Sequence, residues 1–477
     1  MFPMRCCRSV LVPVVLAAVG QAQSPPAGFV YETLSDGQLA NATAMAFLPD
    51  GGLLITERAT GNIRIFREGS LQAAPWATVP VGSFSSFVEQ GLLGIAVDPD
   101  YLNNRYVYVY YTEPGLNENR IGRLTEAGGF GTNLTVLTRP GEIPTDWYHN
   151  GGSMVFGFDG TLFVASGDNY TPSNAQDLGN LLGKVLRYEL PNLTVPANNP
   201  FAGSPIYSYG HRNHFGLAIH PVTGVLYQTE NGLAIQDEIN RILPGGNYGW
   251  PAVEGNHPAP NPAYVSPLAT YSPTLAPTGM CFYTGDHFPP AYRNVWFFTD
   301  YNLNQIHAVT LNAAGTAVQS QVLFDSLPGG GYGVTTGPDG SLYVLTNDLG
   351  GYGADELGRY VYTGEPVPSA QFSAVSNKAL GGTVTMCIHS QAGDVVVPWI
   401  GLSRFATPVP TVYGNWWVPT DAVGSPVTVP ADGRIYLPLS LPNNRSFLGL
   451  SLHMQGISVY AGTGYVVTNP SELVLRG

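Results

Sequence analysis

The chain has 477 residues, a formal net charge of −13, and only 11% Asp, Glu, Lys and Arg, against roughly 25% in an average soluble domain. No basic stripe is visible, which excludes a nucleic-acid-binding surface. At 44% apolar residues a sizeable core can be buried, and 58 Gly with 40 Pro point to many short strands joined by tight turns. The length leads us to expect two or three domains.

In chain order, the N-terminus comes first. Met1–Arg8 is a short basic segment, Ser9–Gly20 is an apolar run, and Gly20-Gln21-Ala22 fits a small-x-small cleavage site. We read residues 1–22 as a cleavable signal peptide. The mature protein is then expected to be secreted, periplasmic or cell-surface. No later stretch reaches the length of an apolar membrane span. Cleavage would leave only Cys281 and Cys387, either as a disulfide or as two separate thiols. Asn-Leu-Thr occurs at Asn133 and Asn192, an acceptor pattern that matters only in a eukaryotic host.

From Pro49 a unit recurs: a turn, a β-branched or aromatic run, polar residues, then a second β run. The copies begin at Pro49 (PDGGLLITERATGNIRIF), Pro99, Gly157, His220, Pro289 and Gly337 (GPDGSLYVLTNDLG). Six copies of a strand-rich unit predict an all-β chain organised as a six-bladed β-propeller over 23–364. The longest interruptions, 169–181 and the Pro-rich 251–277, are expected around the mouth of the central channel. After Gly364 the register changes. Residues 365–477 read as a linker and a small C-terminal β-sandwich-like accessory domain, with strands expected at 382–388, 393–400 and 447–454. Trp416 and Trp417 are either core or an exposed strip.

Because charge is scarce, the stretch Gly210–Pro251 stands out. It gathers Arg212, three histidines, Asp237, Glu238 and two glycine-rich bends. Three other segments carry chemistry-bearing residues next to glycines: Glu89-Gln90-Gly91-Leu92-Leu93-Gly94, Tyr148-His149-Asn150-Gly151-Gly152, and Ala276-Pro277-Thr278-Gly279. Taken with Leu182–Arg187 (LGKVLR), Tyr209–Asn213 (YGHRN), Asp237–Ile242 (DEINRI) and Gly245–Pro251 (GGNYGWP), they occur in one order on a six-fold repeat.

In that order the motifs between Pro49 and Gly364 resemble the soluble PQQ-dependent sugar dehydrogenases, the glucose, aldose-sugar and sorbosone dehydrogenase group. Hedgehog-interacting-protein-like ectodomains share its fold. The resemblance implies a quinoprotein oxidoreductase that acts on an aldose or related polyol and passes electrons to an external acceptor, with PQQ and calcium as cofactors. It places His149 at the general base, a role suited to imidazole at working pH. Arg212, Asn213, Glu89, Asn169 and Thr274 fall at cofactor-binding positions. Gly232 and Leu233 fall where backbone carbonyls hold a catalytic calcium. Glu238 and the backbone of Tyr248 fall at a second calcium, an oxygen-only set that matches a hard cation.

The chain departs from the family pattern at several of these positions. Glu89 replaces a glutamine, Tyr148 an aspartate, Asn169 a glutamine and Leu233 a proline, and Ser272 stands where an aromatic is usual. Gly329–Gly333 occupies the place of arginines expected to meet the quinone carboxylates, and Lys184 and Arg187 are possible substitutes if the fold turns them inward. A catalytically silent, calcium-stabilised propeller that binds carbohydrate or protein is the alternative reading.

Overall fold

The computed structural model describes residues 24–363 apart from 83–87, 256–262, 286 and 348–354, together with the strands of the C-terminal part. The leader and the linker segment 364–370 lie outside the described residues.

Six antiparallel four-stranded sheets, one of them carrying a fifth strand, form the blades of a propeller. The innermost strands are Ala42–Phe47, Leu92–Val97, Met154–Phe156, Asn213–Ile219, Pro277–Phe282 and Gly330–Thr336. Each recurring sequence unit becomes the turn and second strand of one blade, as at Leu53–Glu57, Leu162–Ser166 and Leu342–Asn347. These second strands are buried along nearly their whole length, because a blade has a neighbour on both faces. The alternation of side chains across the sheet therefore splits them between two cores. In the third blade Leu162 and Val164 join the cluster shared with Tyr108 and Tyr110 of the second. Phe163 and Ala165 join the cluster shared with Leu217 and Leu226 of the fourth. Every junction between blades has such a cluster, and Trp76, Trp296 and Phe324 fill three of them. The ring is closed by the strand Phe29–Leu39, which pairs antiparallel with Asp355–Tyr362 as the outer strand of the last blade. The N-terminal end of the propeller thus clasps its C-terminal end.

Two ends of the ring are distinguishable. The connections that join first to second strands, Asp-Gly turns in three of the blades, lie at one end. The loops leading into the inner strands, and those joining second to third strands, lie at the other. A cavity of about 520 Å³ runs along the channel between the inner strands, lined by Met45, Phe47, Ile95, Phe156, Met280 and Val334 among others.

In the C-terminal part the expected strands correspond to Thr383–His389, Val395–Gly401 and Ser451–Tyr460. The first belongs to a three-stranded sheet and the other two to a six-stranded one. Trp416 ends the strand Gly414–Trp416, and Trp417 lies outside the described residues. Cys281 is a free thiol. Among the described residues no helix is long and apolar enough to cross a membrane.

Candidate active site at the mouth of the channel

The site is built from loops at the end of the ring where the inner strands begin. His149 precedes the inner strand of the third blade, and its backbone takes the left-handed conformation, φ +59°. Its Nδ1 lies 2.6 Å from Oδ1 of Asp168, which follows the second strand of the same blade. A carboxylate only accepts, so Nδ1 carries the proton and Nε2 of a neutral ring is left as the basic nitrogen. Asp168 is fully buried, and its other contacts fix it. Oδ2 accepts the indole N–H of Trp250 at 2.8 Å, and Oδ1 also accepts the backbone N–H of Tyr170. Gly167 makes this approach possible, since a Cβ there would stand 2.2 Å from the His149 carbonyl oxygen. Asn169 and Tyr170 also have positive φ, +57° and +54°. Three left-handed positions, His149, Asn169 and Tyr170, around one contact are the kind of backbone that a functional site retains.

Glu89 enters from the second blade. Its Oε2 accepts the backbone N–H of His149 at 2.6 Å and that of Asn150 at 3.3 Å, while Oε1 accepts from the side-chain amide of Asn213 at 3.1 Å. Burial pushes its carboxyl above the ordinary range, and His149 and these donors oppose the shift. Glu89 therefore braces the His149–Asn150 loop and Asn213.

Arg212 and Asn213 open the inner strand of the fourth blade. The carbonyl of Arg212 accepts the N–H of Asp168, and its own N–H donates to Glu230. One guanidinium nitrogen donates to the Asn231 carbonyl at 3.0 Å, and the group lies 5.5 Å from the Trp250 ring centre. Its Nε is buried without a partner, as are Oδ1 of Asn213, Asn231 and Asn169. Buried polar atoms are nearly always paired, so four unpaired ones in loops tied to His149–Asp168 mark a place for a polar ligand.

The loop 232–236 follows directly. One oxygen of Glu254 accepts the N–H groups of Leu233, Ala234, Ile235 and Gln236 at 2.7–3.3 Å. Asp237 ties this loop to the approach of the fifth blade, accepting from Gly232 with one oxygen and from Leu275 and Ala276 with the other. Thr274 sits at that junction, half-buried, with its carbonyl facing the Asn302 amide. Glu238 is buried opposite Glu230 in the adjacent strand. Burial and then the Glu230 charge push its carboxyl up to about 8. The ring of Tyr248 stacks on buried His211 at 4.5 Å. Among the described residues no three His, Cys, Asp or Glu side chains converge on one point. The expected calcium ligands are mainly backbone carbonyls.

Among the described residues the sixth blade brings no cation here. At Gly331 a Cβ would meet Thr299 Cβ at 2.4 Å, and at Gly330 one would meet the Tyr301 ring at 2.7 Å. The inner strand is pressed so tightly onto the fifth blade that arginines cannot stand at these positions. The two substitutes are not available either. Lys184 Nζ is enclosed by the carbonyls of Asn174, Ala175 and Leu182, and burial lowers its pKa to about 8. Arg187 is held by Asp159, Thr161 and Asn198. Arg58 does reach the mouth, but it donates to the carbonyls of Val88 and Gln90 and to Asn41, holding the segment that carries Glu89.

The roles of Asp168, Trp250 and Asp237 were not visible in the sequence. Asp168 carried no signal of its own beside Asn169, and Trp250 read as part of the Gly245–Pro251 bend. The signal available was the Gly167-Asp168-Asn169 run after a short, wholly buried strand.

A six-bladed propeller with a histidine–carboxylate pair and unpaired polar atoms at its mouth is the framework of a sugar dehydrogenase of the propeller class. The chain belongs to the Glucose / Sorbosone dehydrogenase family, whose model matches residues 39–353. It is 32% identical over 368 residues to aldose sugar dehydrogenase YliI of Escherichia coli, covering 72% of this chain and 96% of that one. A putative glucose dehydrogenase of Thermus thermophilus has a crystal structure with TM-score 0.62 and 36% identity, matching 70% of this chain and all of that one. The PQQ-bound aldose sugar dehydrogenase of Streptomyces coelicolor aligns with TM-score 0.59 and 30% identity, over 71% of this chain and all of its own.

Proposed function

We propose that the chain is an exported, PQQ- and calcium-dependent oxidoreductase that oxidises the C1 hydroxyl of an aldose, or a related sugar alcohol, with His149 as general base. The observation that carries this reading is the set of unpaired buried atoms on Arg212, Asn213, Asn231 and Asn169 around the His149–Asp168 pair. The PQQ-bound relative supports the cofactor, and the N-terminal leader pattern supports export.

The residues present suit a planar quinone bearing carboxylates on one side. Arg212 would hold it through a charge-assisted contact and Asn213, Asn169 and Thr274 through neutral ones. On the sixth-blade side no arginine answers it, and each missing charge-assisted bond costs about 1.5–3 kcal/mol of affinity. For calcium, the carbonyls of Gly232 and Leu233 would serve one site, and Glu238 with the Tyr248 carbonyl a second. The repulsion between buried Glu238 and Glu230 favours a cation there.

When bound, PQQ supplies the two-electron oxidant and calcium the Lewis acid beside it. The substrate loses a hydride from C1 and a proton from its hydroxyl, becoming a lactone. The proton goes to Nε2 of His149, while Asp168 keeps Nδ1 protonated and stabilises the imidazolium that forms. Trp250 and the Tyr170 N–H hold Asp168 still, and Glu89 fixes the backbone of the base. An external acceptor then removes the two electrons.

The test is reconstitution. Apo-protein is titrated with PQQ and calcium, then assayed with an artificial acceptor across a panel of sugars. A saturable quinone spectrum with turnover is expected. The absence of both spectrum and turnover would overturn the enzyme reading in favour of a binding propeller, the reading that the glycine-lined sixth-blade side of the mouth favours.

A further inference from the structure

The loop 232–236 follows the second strand of the fourth blade and carries Leu233, Ala234 and Ile235 exposed in a row. With these side chains in water, apolar packing does not shape the loop. Polar contacts do. The loop folds back on itself so closely that a Cβ at Gly232 would stand 1.9 Å from the Gln236 carbonyl oxygen. From outside, Oε1 of Glu254 accepts the N–H groups of Leu233, Ala234, Ile235 and Gln236 at 2.7, 3.2, 3.2 and 3.3 Å. Four successive donors that meet on one oxygen form an anion-holding nest, and here the chain supplies its own anion.

Peptide planarity carries this over to the carbonyls. In a trans peptide the N–H of one residue and the C=O of the residue before it point in opposite directions, and none of the cis peptides falls in this loop. With the N–H groups of 233–236 aimed at Glu254, the carbonyls of Gly232, Leu233, Ala234 and Ile235 all face away from it. The preceding peptide behaves alike. The Gly232 N–H goes to Asp237 at 2.8 Å, and the Asn231 carbonyl on its other side accepts from Arg212 at 3.0 Å. The carbonyl side of the loop therefore begins at the Arg212 guanidinium. Among the described residues no backbone N–H donates to the carbonyls of Gly232 and Leu233. The short segment that delivers Glu254 is fixed at both ends by the site, through the Trp250 indole on Asp168 and the Gly255 N–H on Glu238.

We propose that Glu254 is a positioning residue for a cation. By gathering four N–H groups it turns the carbonyls of Gly232 and Leu233 outward as a preformed pair of oxygen donors. This rests on the proposed calcium at those two carbonyls. A hard divalent cation takes carbonyl oxygens, and outer contacts that fix its ligands in advance raise its affinity. A carboxylate on the N–H side also polarises each peptide towards its oxygen, so Glu254 strengthens the donors without being one.

The probe is calcium itself, read through the quinone spectrum at a fixed PQQ concentration. Glu254→Ala should raise the calcium concentration for half-maximal spectral change by about 10–100-fold, the usual effect of losing an outer contact at a metal site. Glu254→Gln keeps an acceptor oxygen without the charge and should recover part of that loss. Excess calcium should restore the wild-type spectrum in both variants, which a merely structural role does not predict. Amide exchange on the cofactor-free chain needs neither quinone nor turnover. In Glu254→Ala the N–H groups of 233–236 should exchange faster, while those of Asn213–Ile219 keep wild-type rates. Unchanged exchange, or an unchanged calcium dependence with sugar oxidation intact, would overturn the role of Glu254 and leave the proposed chemistry standing. Calcium binding that depends on Glu254, with no sugar oxidised, would sink the chemistry and leave the positioning role. A wild type that gains no quinone spectrum at any calcium concentration would overturn both.

Discussion

Nδ1 of His149 and Oδ1 of Asp168 lie 2.6 Å apart, and the second oxygen of that carboxylate accepts the indole N–H of Trp250. The two oxygens therefore serve three donors, counting the Tyr170 N–H. In Asp168→Asn one oxygen becomes an N–H donor. Either Trp250 or the pair His149 and Tyr170 then faces a donor without an acceptor. We expect kcat to fall by about 10²–10⁴-fold, the range for a misdirected general base. Trp250 also lies beside Arg212, so quinone affinity should drop with it. Single-turnover rates and tryptophan fluorescence on the same variant check both effects. Wild-type rates would show that Asp168 does not orient the base.

Glu89 replaces an expected glutamine, and its two oxygens serve the backbone of His149 and Asn150 and the amide of Asn213. Glu89→Ala strands these donors, at about 1–3 kcal/mol for each one that water does not reach. Glu89→Gln keeps an acceptor for the two backbone groups, and Asn213, whose Oδ1 is unpaired, can turn that oxygen towards the new amide. The alanine variant should lose a few kcal/mol in a denaturant melt, and the glutamine variant far less. The pH dependence separates them further. Burial raises the folded-state pKa of Glu89 above its unfolded value, so the wild type loses stability as pH rises through that raised pKa. Glu89→Gln should gain on the wild type as pH is raised, and a constant difference across pH would show that the carboxylate is not desolvated.

The architecture was legible because it is local and repeated. Each Asp-Gly or Thr-Gly turn followed by a Leu-Tyr-Val type run announces a second strand, and these four together with the Pro99 and Pro289 units leave few ways to bury every face. His149 and Arg212 were legible as unusual residues beside glycines. Their partners were not. Asp168 meets His149 only when two loops of the third blade fold onto one another, and Trp250 arrives from 82 residues further along. The reason for the missing arginines was hidden too. Gly330 and Gly331 look like flexible linkers in sequence, yet in the fold they are tight contacts against Tyr301 and Thr299. The aromatic pair Tyr148 and Tyr170 is split by 21 intervening residues and meets only where the two loops beside His149 fold together.

A buried histidine pair in the fourth blade should limit stability in acid. His214 accepts the Gln228 amide N–H on Nδ1 at 2.6 Å and stacks on His211. Burial, then its neighbour His211, lowers the pKa of His214 to about 4, and burial, then Lys184, lowers that of His211 to about 3. Both folded-state values lie below the unfolded 6.5, so the unfolded chain binds more protons. Stability is fully present above about pH 6.5 and is lost as pH falls towards 4, at about 1.4 kcal/mol per pH unit for each proton taken up. His214→Asn keeps an oxygen near the place of Nδ1 for Gln228 and removes the titration. Chemical denaturation at pH 7, 6, 5 and 4 should show a shallower fall for this variant. Parallel curves would mean that His214 is not the group that resists acid.

Arg212 gives the last and sharpest test of the cofactor site. Its guanidinium is oriented by the Asn231 carbonyl and by Trp250, yet Nε is buried with no partner. An unpaired buried donor already costs the fold energy, so removing it should cost the apo-protein little, while removing the charge should cost any anionic ligand much. In Arg212→Met, which keeps the apolar stem against Trp250, the apo-protein should melt within about 1 kcal/mol of wild type. Affinity for PQQ should fall by about 10–150-fold, the equivalent of one charge-assisted hydrogen bond. Arg212→Lys should recover only part of this, since an ammonium cannot offer two parallel donors. Quinone absorbance titrations with calcium present measure all three proteins under one condition. If Arg212→Met binds PQQ as tightly as wild type, Arg212 is not its anchor. If instead the apo-protein is strongly destabilised, the guanidinium is a structural clamp between the fourth blade and Trp250, and the unpaired Nε is no mark of a ligand.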